Sequence, residues 1–171
     1  MQPVIQHRSR LILAGVSFFG DPFHSHAGWT EANEIGRLWQ RLMNLLSRPG
    51  SPYPHYPAES YEIHLQYPET LQTGEYEVFV GFAIETLDQM PVELGLKILP
   101  EGDYAIFTLH GEQIRCDEPF VDLWLSESGY QLVTPVYIQR YDQRFKGLDQ
   151  LADSEIDLLV PIIQANSDDQ S

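Results

Sequence analysis

Tyr76-Glu-Val-Phe-Val-Gly-Phe-Ala-Ile-Glu85 alternates strictly, with Tyr76, Val78, Val80, Phe82 and Ile84 on one side and Glu77, Phe79, Gly81, Ala83 and Glu85 on the other. A sustained period of two is a β-strand with one face on a core. Just before it, Tyr61, Ile63, Leu65 and Tyr67 alternate with Glu62, His64 and Gln66, the pattern of a half-buried strand. Further upstream the period changes. Ile35, Leu38, Trp39, Leu42, Leu45 and Leu46 recur at helical spacing with Arg37 and Arg41 on the other face, Thr30 reads as the N-cap, and Arg48-Pro49-Gly50 stops the helix. Arg10 to Phe19 is a compact apolar run ending at Gly20-Asp21-Pro22, a buried strand. The first half therefore reads β-α-β-β.

Pro49 to Pro57 is too proline-rich for helix or central strand. It reads as a stiff surface loop or, because it carries Tyr53 and Tyr56, as an aromatic lid over a pocket.

The second half repeats the order. Tyr104 to Leu109 is a strand. Asp117-Glu118-Pro119 starts a helix striped with Phe120, Leu123 and Trp124 and stopped at Ser128-Gly129. Val133 to Tyr141 and Ser154 to Ile163 are two more strands. The expected fold class is α+β: a tandem βαββ repeat with pseudo-twofold symmetry, one antiparallel sheet and two helices forming a ligand groove. The boundaries read as an N-terminal segment 1–7, one domain 8–163 made of repeats 8–85 and 102–163, and a flexible acidic tail 164–171.

Composition limits the function. The 171 residues carry 25 acidic and 10 basic side chains for a net charge of −15. Residues 1–85 hold 9 acidic and 5 basic groups, and residues 86–171 hold 16 and 5, so the acid lies mainly in the second half. Nucleic-acid binding needs basic side chains to displace condensed cations, and an anionic membrane surface needs them too, so neither is expected as a direct partner. Cys116 is the single cysteine, which excludes an internal disulfide and a thiolate-cluster metal site. No signal peptide or apolar span is visible, so the expected location is cytoplasmic.

Three stretches then carry a resemblance. Leu99-Pro-Glu-Gly-Asp-Tyr-Ala-Ile-Phe107, Trp124-Leu-Ser-Glu-Ser-Gly-Tyr130 and Ile138-Gln-Arg-Tyr141 follow the order and spacing of the gyrase-inhibitor-like (GyrI-like) effector-binding domain. That module occurs on AraC-type and MerR-type transcription regulators. Glu155-Ile156 with Pro161-Ile162, and Leu38-Trp39 on the first helix, fit the same pattern. The resemblance covers roughly residues 8–163. It implies a duplicated βαββ fold that binds lipophilic, often cationic compounds between the two helices and the sheet. It also implies kinship with stand-alone drug-binding modules of bacterial gene cassettes. Some relatives bind gyrase, and others hydrolyse cyclopropane-bearing toxins.

In one place the chain departs from the family. The family commonly has Glu-x-Tyr on the strand after the second helix, with the carboxylate under the bound cation. Here the matching residues are Gln139-Arg140-Tyr141. An amide contributes no net charge, which weakens both cation selection and a hydrolytic role at this position.

A site for a greasy cation needs aromatic faces and at least one negative charge; a cation over an aromatic ring gains about 0.5–2 kcal/mol. Trp39, Trp124, Tyr137 and Tyr141 are the wall candidates, with Tyr137, Gln139 and Tyr141 on one strand face. On spacing alone Trp39 and Trp124 are equally ordinary core residues. With Gln139 neutral, the charge must come from elsewhere, and Glu85, beside Phe79 on the mixed face of its strand, is the expected source. Glu77 and Asp122 are alternatives that read as solvated. Asp21, His24 and His26 lie in a turn with no fourth ligand, so no metal is expected, and nothing points to a cofactor.

The leading expectation is an effector-binding module for hydrophobic, cationic compounds, acting as sensor, carrier or sequestering protein. Two other classes stay open: a hydrolase of electrophilic toxins, and an interaction domain for gyrase or a separate regulator. A homodimer through an exposed sheet edge is a further expectation.

Overall fold

Asn33, rather than Thr30, starts the first helix. Its side-chain oxygen accepts the Gly36 N–H at 2.9 Å, and its amide donates to the Gly28 carbonyl at 2.8 Å. Thr30 instead accepts the Ala32 N–H within the preceding turn, so the hydroxyl is used one turn too early to cap. The computed structural model describes residues 1–28, 30–53, 57–88, 90–115 and 118–165. Tyr56, Cys116, Asp117 and the tail from Asn166 lie outside them.

The elements are β1 (Val4–Arg8), β2 (Leu11–Gly20), α1 (Glu34–Leu46), β3 (Ser60–Leu65), α2 (Thr70–Thr73), β4 (Tyr76–Ile84), β5 (Gly95–Leu99), β6 (Gly102–His110), α3 (Glu118–Ser128), β7 (Tyr130–Leu132), β8 (Val136–Tyr141) and β9 (Glu155–Gln164). The strands form one antiparallel sheet in the order β1-β6-β9-β8-β3-β4-β2-β5, with β7 beside the end of β9. The two repeats are visible in that order: β6-β9-β8 and β3-β4-β2 are mirror arrangements meeting at the β8–β3 pair.

Three strands were not expected. Residues 4–8 of the N-terminal segment pair with β6, and β5 adds to β2. Both are edge strands whose apolar side chains (Val4, Ile5, Leu96, Ile98) are exposed. β7 is only three residues long, and the strand expected from Val133 begins at Val136.

The sheet curls into a half-barrel. Only Pro100 and Glu101 separate β5 at one edge from β6 near the other, so the two sides must approach. The Tyr104 hydroxyl donates to the Pro100 carbonyl at 2.8 Å across this corner. Gly15 and Gly81 face each other in the β2–β4 ladder. A Cβ on Gly15 would stand 2.0 Å from the Val80 carbonyl oxygen and 2.7 Å from the Phe79 ring, and one on Gly81 would stand 2.6 Å from that ring. The glycines let the Phe79 ring lie directly on the backbone.

Both faces of the sheet are consequently covered. On the helix face, Ala14, Val16, Val78, Val80 and Phe82 pack against Leu38, Leu42 and Leu46 of α1. The second repeat builds its own core there from Ala105, Phe107, Ile156, Leu158 and Val160 with Val121 and Trp124 of α3. On the inner face of the curl, Leu13, Tyr61, Ile63, Phe79, Tyr104, Ile138 and Leu159 form a third core. The inner face of the second repeat also holds Asp157, which accepts hydrogen bonds from Arg140, Arg144 and Thr108. Burial would raise this carboxyl, but the bonds from Arg144, Arg140 and Thr108 hold it below the usual carboxylate range.

Candidate functional site

A single row of side chains crosses the helix face at the junction of the repeats. Val16 faces Val80, Val80 faces Glu62, Glu62 faces Gln139, Gln139 faces Leu158, and Leu158 faces Phe107. Glu62 therefore stands in repeat one where Gln139 stands in repeat two, and the pseudo-twofold axis runs between them. Both are buried, each 4% exposed.

The carboxylate of Glu62 is the centre of this arrangement. One oxygen accepts the Trp39 indole N–H at 2.5 Å, and the other lies 2.8 Å from Nε2 of His64. A buried carboxylate is costly unless hydrogen-bonded, and here both oxygens have partners. Across the axis, Gln139 accepts the Tyr141 hydroxyl at 2.5 Å. Trp39 meets Tyr141 edge-on with centroids 5.3 Å apart, and Tyr141 meets Phe145 edge-on at 5.1 Å. His64 faces Tyr137 in the ladder and lies 5.5 Å from the Tyr76 ring. Trp39 packs against the helix-face cores of both repeats and so sits on the seam.

Of the residues the sequence singles out, the structure brings Trp39, Tyr137, Gln139 and Tyr141 together. Trp124 stays inside the second-repeat core, 7% exposed, stacked on Tyr130 at 5.6 Å and edge-on to Phe107 at 5.7 Å. Phe79 is not at this place, because β4 turns it to the inner face over Gly15 and Gly81. Glu85 is exposed just beyond the end of β4, on the opposite side of that strand from Val78 and Val80. Glu77 is paired with Lys97 at 2.8 Å, and Asp122 is exposed on α3. Tyr53 is tucked edge-on against Phe82 at 4.9 Å. Asp21 accepts the N–H of Phe23 at 2.9 Å within its own turn.

Sequence reasoning passed over Glu62, His64 and Phe145. The signal for the first two was present: they are two apart on one strand, hence on one face. Pairing that face with the Gln139 face required the register.

Two open clefts, of about 410 and 190 Å³, lie against α1 elsewhere, the larger lined by Arg37, Gln40, Arg41, Asn44, Leu45, Arg48 and Glu93. Neither includes Glu62 or Trp39. Among the described residues, no helix is long and apolar enough to cross a membrane.

The class of the protein follows from this curled antiparallel sheet of paired βαββ units together with the family it matches. The family model for the GyrI-like small molecule binding domain matches residues 1–163, and the chain belongs to that family. Solved structures share the fold at low identity. One is SAV2435 bound to tetraphenylphosphonium, at 11% identity, a TM-score of 0.65 and coverage of 95% of this chain and 94% of that one. Another is the C-terminal domain of EcmrR, at 14% identity, a TM-score of 0.65 and coverage of 95% and 98%. A third is the integron cassette protein VCH_CASS2 from the mobile metagenome of Vibrio cholerae, at 13% identity, a TM-score of 0.61 and coverage of 95% and 96%. No curated protein matches the chain.

Proposed function

We propose that this domain binds hydrophobic organic cations at the seam between its repeats, with Glu62 as the counter-charge and Trp39, Tyr137 and Tyr141 as the aromatic wall. The observation that carries this reading is the buried Glu62 carboxylate beneath the Trp39 indole, opposite Gln139. An aromatic-lined site with one dry negative charge favours a cation twice over, through the ring faces and through Coulomb attraction in a medium less polar than water. The overall charge of −15 adds a long-range attraction that salt weakens. The tetraphenylphosphonium on the structural relative SAV2435 supports this choice of ligand class. The indole and imidazole occupy the two carboxylate oxygens. A cation engages Glu62 by taking the place of those donors. The domain then acts as sensor, carrier or sequestering protein for such compounds.

The test uses two ions of the same shape and opposite charge. Tetraphenylphosphonium quenches tryptophan fluorescence saturably and tetraphenylborate does not, and added salt weakens the first response. Equal binding of the two ions removes the assignment of a negative site.

A further inference from the structure

Glu62 already has a candidate cation beside it. His64 shares its strand face, two residues on, with Nε2 at 2.8 Å from the carboxylate. The side chains are 20% and 5% exposed, so this contact is largely shielded from solvent. The other oxygen of Glu62 is held by the indole of Trp39, a donor that carries no charge and does not titrate. Groups placed around His64 include Glu62 on its own strand, Tyr76 from β4 and Tyr137 from β8, with Trp39 reaching the same carboxylate from α1. Tyrosines ordinarily ionise near pH 10, whereas histidine ordinarily changes charge between about pH 5 and 8. Of the two donors on Glu62, only the His64 imidazole is a group that can exchange a proton with solvent.

We propose that His64 is the resident counter-ion of Glu62, and that a hydrophobic cation binds by exchanging for the proton on its imidazole. This rests on the reading of Glu62 as the ligand's counter-charge. The charge balance is closed. Before binding, the buried carboxylate faces an imidazolium; after binding, it faces the organic cation and a neutral imidazole, and one proton has gone to solvent. The buried charge is compensated before and after binding, so the seam carries no unpaired charge in either case. Without that release, two cations would share one carboxylate in a partly dry place, and their repulsion would oppose binding. Affinity for cations therefore rises as the pH rises through the titration of His64. A neutral ligand, which does not compete for the carboxylate, lacks this dependence.

The experiment is calorimetry with tetraphenylphosphonium from about pH 5.5 to about pH 8, run in two buffers of different ionisation heat. The expected result is release of up to one proton per ligand at the acid end, with affinity rising by as much as about tenfold per pH unit before levelling. His64→Gln keeps an amide donor to Glu62 but cannot titrate. It should bind at the alkaline end as the natural protein does and lose the slope. Neutral triphenylphosphine oxide should show no slope with either protein. Ring-nitrogen NMR of the natural protein reads the same event without a substitution: the His64 signals should move toward the neutral form on adding the cation. Saturable binding with no proton release, or the same slope in His64→Gln as in the natural protein, overturns the exchange while leaving Glu62 as the charge. No binding of the cation at any pH overturns both.

Discussion

The two repeats occupy matching places in the sheet but do different work at the axis. Repeat one contributes a carboxylate, Glu62, with an indole and an imidazole on its oxygens. Repeat two contributes a neutral amide, Gln139, closed onto its own Tyr141 hydroxyl. Because the axis places these residues face to face, a carboxylate on either strand stands at nearly the same place in the seam. A twofold scaffold thus has two seats for one buried charge. On the proposed reading, the Gln-Arg-Tyr departure from the family pattern is compensated across the seam rather than along the strand.

The two tryptophans differ in the same way. Trp124 is enclosed in its own core against Phe107 and Tyr130, whereas Trp39 is half-buried on the seam and holds Glu62. Trp124→Ala should therefore destabilise the fold by about 3–5 kcal/mol, the usual cost of removing a large buried aromatic. Trp39→Ala should cost less stability and more cation affinity. Urea unfolding beside tetraphenylphosphonium titration separates the two; a fully stable, non-binding Trp124→Ala would move the site away from the seam.

The inner faces of the repeats also contrast. Repeat one packs Phe79 and Ile63 there and carries its ion pair, Glu77 with Lys97, part-exposed, while repeat two holds the buried Asp157 between Arg140 and Arg144. Asp157 titrates below its unfolded value, so its stabilisation is present above about pH 4 and is lost as the pH falls through the lowered value. Urea midpoints should fall between neutral pH and about pH 3, and Asp157→Asn should be weaker at neutral pH but less sensitive to acid. An unchanged acid profile in that variant would assign the acid sensitivity to other carboxylates.

Much of the fold was legible because the strong periods are local. The strict alternation of Tyr76 to Ile84 and the helical spacing from Ile35 to Leu46 need no knowledge of partners, and the order β-α-β-β simply recurs. The helix-face wall was legible in part, since Tyr137, Gln139 and Tyr141 share a strand face by alternation. Glu62 and His64 were read as the polar side of a half-buried strand. That inference fails where a sheet is covered on both faces, because the polar side then meets α1 instead of solvent. Phe79 was misplaced for the same reason: its face is closed by the curl, not by a helix. Glu85 lies past the covered part of β4, and only the ladder shows where that cover ends. The edge strands β1 and β5 were invisible because Val4, Ile5, Leu96 and Ile98 stay exposed and only Leu99 is buried.

The central claim is that the charge of the site resides on Glu62. The direct test is the ratio of tetraphenylphosphonium to tetraphenylborate affinity in Glu62→Gln, read by tryptophan fluorescence beside the natural protein. Cation affinity should fall about 10–100-fold, corresponding to roughly 1.5–3 kcal/mol for a charged partner, with the borate scarcely changed. Adding Gln139→Glu to that variant should restore preference for the cation from the opposite strand. An undiminished preference in Glu62→Gln would contradict the account and place the charge elsewhere.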